Sequence, residues 1–105
     1  MKSEIERMFH QAMINIHRRA RDEAGYRATL FIGMVERSGG LATAKQLINS
    51  SKPSQGYAAL WELGRLDLTV EALVVENQQW WPLFSREEID RARKRLSDYE
   101  YKSMT

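Results

Sequence analysis

Apolar residues in this chain recur three and four positions apart, in runs that glycine or proline stops, and that period commits most of the chain to helix. Ile5, Met8, Phe9, Ala12 and Ile16 share one face of a segment from Ser3 to about Glu23, with Arg7, Gln11, Arg18 and Arg21 largely elsewhere. Ser3 followed by Glu6 is a capping-box pattern that starts it, and Gly25 can end it in a left-handed conformation. A second helix is expected at once, with Tyr26, Leu30, Phe31, Met34 and Val35 on one face until Gly39-Gly40. Leu41, Ala44, Leu47 and Ile48 describe a short third helix to Asn49, and Ser50-Ser51-Lys52-Pro53-Ser54 reads as the main loop.

A fourth helix from about Ser54 to Arg65 presents Tyr57, Leu60, Trp61 and Leu63, with Trp61 expected in the core and Glu62 paired to Arg65. Asp67 or Thr69 can cap the next segment. Residues 68–75 are β-branched enough for a strand, yet the spacing of Leu68, Ala72, Leu73 and Glu76 and the want of a pairing strand favour helix. Residues 78–84 form an aromatic connector in which Pro82 biases Trp81 away from helix. Ser85 and Glu88 make the clearest capping box of the chain, opening a last helix with Ile89, Ala92, Leu96 and Tyr99 as its buried stripe. A length of 105 residues holds one core, so residues 1–105 should form a single compact all-α domain of five or six short helices, frayed at about 1–2 and 102–105.

Several chemistries are excluded by composition. With no cysteine there are no disulfides, thiolate metal sites or cysteine nucleophiles. No run approaches 18 apolar residues, and Lys2, Glu4, Glu6 and Arg7 stand where a signal peptide needs an apolar stretch, so a cytoplasmic protein without membrane contact is expected. His10 and His17, two helical turns apart with Glu6 nearby, do not specify the three convergent ligands of a metal site, and no cofactor is expected. Neither a nucleophile elbow nor a phosphate loop is present. Glu62, Asp67 and Glu71, set among large apolar groups, would support acid–base work only if one pKa were raised, and structural pairing or capping is the simpler role. No catalytic residue is assigned.

Binding is the better reading. The net charge of +2 is spread along the chain rather than gathered in a tail. The third and fourth helices with the turn between them have the outline of a helix-turn-helix, for which Lys52, Gln55 and the Arg18, Arg19, Arg21 cluster would supply nucleic-acid contacts. Gly56, Tyr57, Ala58 and Ala59 are poor base readers, which weakens that alternative. Adjacent Trp80 and Trp81 cannot both point inward from an extended segment, so an exposed tryptophan beside Arg91, Arg93, Lys94 and Arg95 is the expected contact surface for a protein partner.

Glu23-x-Gly25-Tyr26, Phe31 with Met34-Val35, Gly39-Gly40-Leu41 with Thr43-Ala44-Lys45, Gly56-Tyr57, Leu60-Trp61-Glu62 and above all Gly64-Arg65-Leu66-Asp67-Leu68-Thr69-Val70-Glu71-Ala72 carry a resemblance over residues 16–101. They resemble a widespread family of small, largely uncharacterised bacterial proteins and modules. The resemblance implies an α-helical module of bacterial or phage origin, with relatives beside nucleases and defence proteins, and it carries no established activity. The combined expectation is a non-enzymatic accessory or regulatory binding protein, with a DNA- or RNA-binding protein as the alternative. The oligomeric state is not legible in the residues.

Overall fold

The computed structural model describes residues 3–101, and the expected fraying of 1–2 and 102–105 lies outside the described residues. Within them the chain forms helices and turns with no strand: α1 Glu4–Ala24, α2 Thr29–Ser38, α3 Gly40–Asn49, α4 Gln55–Glu62, α5 Val70–Val75 and α6 Arg86–Asp98. Two 3-10 turns, Leu66–Leu68 and Gln78–Leu83, flank α5.

The caps explain the boundaries. Ser3 Oγ accepts from the Glu6 N–H at 3.2 Å, and Gly25 at φ 68° ends α1. Tyr26 is not the start of the second helix, because its N–H donates back to Ala20 O at 3.0 Å and completes the C-terminal cap of α1. α2 therefore begins at Thr29, with no side chain capping it. α3 starts one residue before Leu41, at Gly40, whose N–H donates to His10 Nδ1 at 2.9 Å and so satisfies one of the free donors of a helix start. A Cβ on Gly40 would lie 2.7 Å from His10 Cα, closer than real contacts allow, so only glycine lets α3 cross α1 here.

α4 opens on Ser54 as expected, with Ser54 Oγ accepting from the Tyr57 N–H at 3.0 Å, but it stops at Glu62. Gly64 turns the chain at φ 71°, and the Arg65 N–H donates to Leu60 O at 2.8 Å. Between the two cap candidates the structure chooses Thr69, whose Oγ1 accepts from the Ala72 N–H and donates to Leu66 O. α5 is a single short helix with five of its six residues buried. That burial accounts for its strand-like composition, since a helix enclosed on all sides has no polar face to display the helical period. The full capping box at Ser85 and Glu88 is present at the start of α6.

α5 lies at the centre, packed chiefly on α6 and touching α1 and α3, while α3 also packs on α1, α2 and α6. The core gathers Phe9, Met13, Val35, Ile48, Tyr57, Val74, Ala92 and Leu96, with Phe9 meeting Trp80 and Phe84 edge-to-face at 5.4 and 5.5 Å. Trp61 departs from expectation: it is 48% exposed and touches Tyr99 edge-to-face at 5.5 Å. An eight-residue helix buries one narrow stripe, here Tyr57 and Leu60, and Trp61 and Leu63 fall outside it.

Candidate functional site

The tryptophan pair is divided between core and surface. Trp80 is 4% exposed and belongs to the core, so it is not a contact residue. Trp81 is half-buried, its Nε1–H donates to Val74 O at 2.8 Å, and the Arg93 guanidinium lies 5.7 Å from its ring centre. Pro82 is accommodated inside the 3-10 turn, so Trp81 is helical in that tighter sense rather than extended.

Arg95 also leaves the expected contact surface. It is buried, donating from Nη1 to Glu71 Oε2 at 2.9 Å and to Leu47 O at 3.1 Å, and from Nη2 to Ser50 O at 2.6 Å. It thus supplies donors to carbonyls at the C-terminal end of α3 and a counter-charge to α5. Of the remaining basic residues on α6, Arg91 hydrogen-bonds Asn49 Oδ1, Arg93 pairs with Asp90 at 3.2 Å and Lys94 with Asp98 at 3.0 Å. All three are exposed.

The residues of the nucleic-acid alternative are exposed too, yet much of their charge is spent locally. Arg19 pairs with Glu23 at 2.7 Å and Arg21 with Asp22 at 2.8 Å. Arg18, Lys52 and Gln55 remain on the surface. Arg65 does not pair with Glu62; it bridges Glu23 at 2.6 Å and Asp67 at 3.0 Å, linking α1 to the turn after α4. Hydrogen bonds from Arg19 and Arg65 hold the Glu23 carboxyl down at about 2.

The three carboxylates weighed for acid–base work go to separate places. Glu62 is exposed, and Asp67 is held below the ordinary carboxylate range first by its hydrogen bond from Arg65. Burial raises Glu71, against the pull of its Arg95 partner. Among the described residues no group of three or more histidines and carboxylates is placed to hold a metal ion. No described helix is long and apolar enough to cross a membrane.

What sequence reading missed is a cavity of about 380 Å³, partly open to solvent, between α1, residues 26–28, α2, α4 and residues 68–71. Ile16, Ala20, Leu60, Leu68 and Val70 give it buried apolar walls, and Leu30, Phe31 and Met34 of α2 stand along it. His17 lines it with its ring stacked on Phe31 at 6.5 Å. Burial, and then the nearby Arg21 charge, lower the His17 pKa below the ordinary histidine value. Its Nδ1 is buried without a hydrogen-bond partner. Each wall comes from a different segment, so no single stretch of sequence announces the cavity. The one local signal is the composition of α2: its apolar residues Leu30, Phe31, Ile32, Met34 and Val35 lie on more than one face, yet only Val35 is buried.

No protein-family model, no curated protein and no solved structure matches the chain.

Proposed function

We propose that the chain is a non-enzymatic accessory or regulatory binding module, acting in the cytoplasm of a bacterial or phage system, and that it receives a partner protein on α2. The bacterial or phage setting rests on the resemblance of residues 16–101, strongest in Gly64 to Ala72. The observation that carries the docking surface is Leu30, 70% exposed on a helix that is apolar on several faces and buries only Val35. A helix apolar on several faces is normally enclosed, and large exposed apolar side chains are the usual anchors of an interface. Trp81, Arg91, Arg93 and Lys94 form a second exposed or half-exposed group of contact candidates, but their bonds to Val74, Asn49, Asp90 and Asp98 make them less available than Leu30.

The test is affinity purification of the tagged protein from its host at low and moderate salt, alongside Leu30→Asp and Arg93→Ala/Lys94→Ala. The reading expects a stoichiometric protein that survives moderate salt, is lost with Leu30→Asp and is kept by the double α6 variant. Because Leu30 is exposed, Leu30→Asp should melt close to the unsubstituted protein. Nucleic acid alone, released as salt rises, would overturn the reading and move attention to Arg18, Arg19, Arg21, Lys52 and Gln55.

A further inference from the structure

We propose that the cavity beneath α2 is a binding site for a small amphipathic anion, an apolar ring or chain carrying one acid group, with Arg27 as the residue that receives the charge. The inference goes beyond docking on α2 and needs no partner protein.

Volume and walls come first. About 380 Å³ lies within the range of roughly 300–1,000 Å³ that small organic ligands occupy. The enclosing surface is mainly hydrocarbon from several segments, with hydroxyl and amide groups from residues such as Thr29, Ser54 and Gln55. Such a lining favours an apolar body with a limited polar end.

The charge inventory then selects the sign. Two charged side chains line the cavity, Arg27 and Glu71. Glu71 is already matched by Arg95 at 2.9 Å, with both side chains less than a tenth exposed. Arg27 is exposed and makes no ion pair among the described residues. Burial disfavours the cationic form of His17, which leaves Arg27 as the lining cation. Among the side chains that line the cavity, the unmatched charge is therefore one guanidinium, a group suited to carboxylates and sulfonates. A cationic ligand would meet Arg27, and the one carboxylate in the lining, Glu71, is already held by Arg95.

Gly56 offers a way to close the site. It lines the cavity, and a Cβ there would be in ordinary contact, meeting nothing nearer than Tyr26 Oη at 3.7 Å, so a side chain grown from it would take up cavity space.

The experiment uses a matched pair of fluorescent probes, 8-anilinonaphthalene-1-sulfonate and N-phenyl-1-naphthylamine, which share an aromatic body and differ by the sulfonate. Each is titrated into the folded protein, into Arg27→Gln and into Gly56→Leu. The expected result is saturable one-to-one binding of both probes, with the sulfonate about five-fold tighter, as one partly solvated charge pair provides. Arg27→Gln should remove that preference while leaving the neutral probe within about two-fold, and Gly56→Leu should weaken both by about ten-fold or more. Absence of saturable binding would overturn the site. Equal affinities untouched by Arg27→Gln would overturn the anion assignment, and binding undisturbed by a folded Gly56→Leu would place the probes elsewhere. Arg27 is exposed, so its variant keeps the test decisive even where Gly56→Leu fails to fold. Partner capture on α2 is read in a separate assay, so either conclusion can fail alone.

Discussion

Arg95 Nη1 lies 2.9 Å from Glu71 Oε2, joining the last turn of α6 to the start of α5 in a place where both side chains are less than a tenth exposed. Arginine does not lose its proton inside proteins, so removing the carboxylate strands a buried cation, while removing both charges leaves only the Leu47 and Ser50 carbonyls without their donor. Glu71→Gln and Arg95→Met should each cost about 3–5 kcal/mol in urea unfolding, and Glu71→Leu with Arg95→Met should cost clearly less than the two single changes together. Additive costs would show that the pair is not energetically coupled.

Glu88 gives the fold an acid-sensitive point. Desolvation pushes its carboxyl up, but hydrogen bonds from Lys45, from the Ser85 N–H and from Asn49 overcome that and hold it at about 2. The folded value lies below the ordinary 4.5, so its contribution is complete above about pH 5 and disappears as the pH falls through about 2. The full shift corresponds to roughly 3 kcal/mol. Unfolding free energy measured between pH 6 and pH 2 should fall more steeply for the unsubstituted protein than for Glu88→Gln; parallel curves would remove Glu88 as the cause.

The two adjacent tryptophans should separate in a melting experiment. Trp80 fills the core against Phe9, so Trp80→Ala should cost about 3–5 kcal/mol. Trp81→Phe keeps most of the ring and loses the hydrogen bond to Val74 O, a cost of about 1 kcal/mol, or roughly 4–8 °C in Tm. Equal melting of Trp81→Phe and the unsubstituted protein would mean that the indole N–H adds nothing to the fold.

The helix ends that carry a cap were the most legible in the sequence, because their chemistry is local. Ser54, Thr69 and Ser85 each cap the helix that begins just after them, and Gly25 ends α1, because a cap and its partner lie within a few residues of one another. The long-range pairings were not legible. Arg95 stands in a basic run that reads as a solvated face, and only its position beside Ala92 and Leu96 marks it as inward-facing; the partner that makes burial tolerable is Glu71, 24 residues earlier. The candidate site was the least visible part, since neither the cavity nor the place of Arg27 at its wall exists until distant segments meet.

One residue, Gly39, separates α2 from α3, and α3 is pinned to α1 where Gly40 touches His10. At its other end α2 hangs on the four residues 25–28 and has no side-chain cap. In mechanical terms the Gly39 end of α2 is a tight joint, clamped to α1 through α3, while its Thr29 end starts from a short linker without a side-chain clamp. Arg27 and the mouth of the cavity therefore lie at the less firmly anchored end of α2, away from the crossing of α1 and α3.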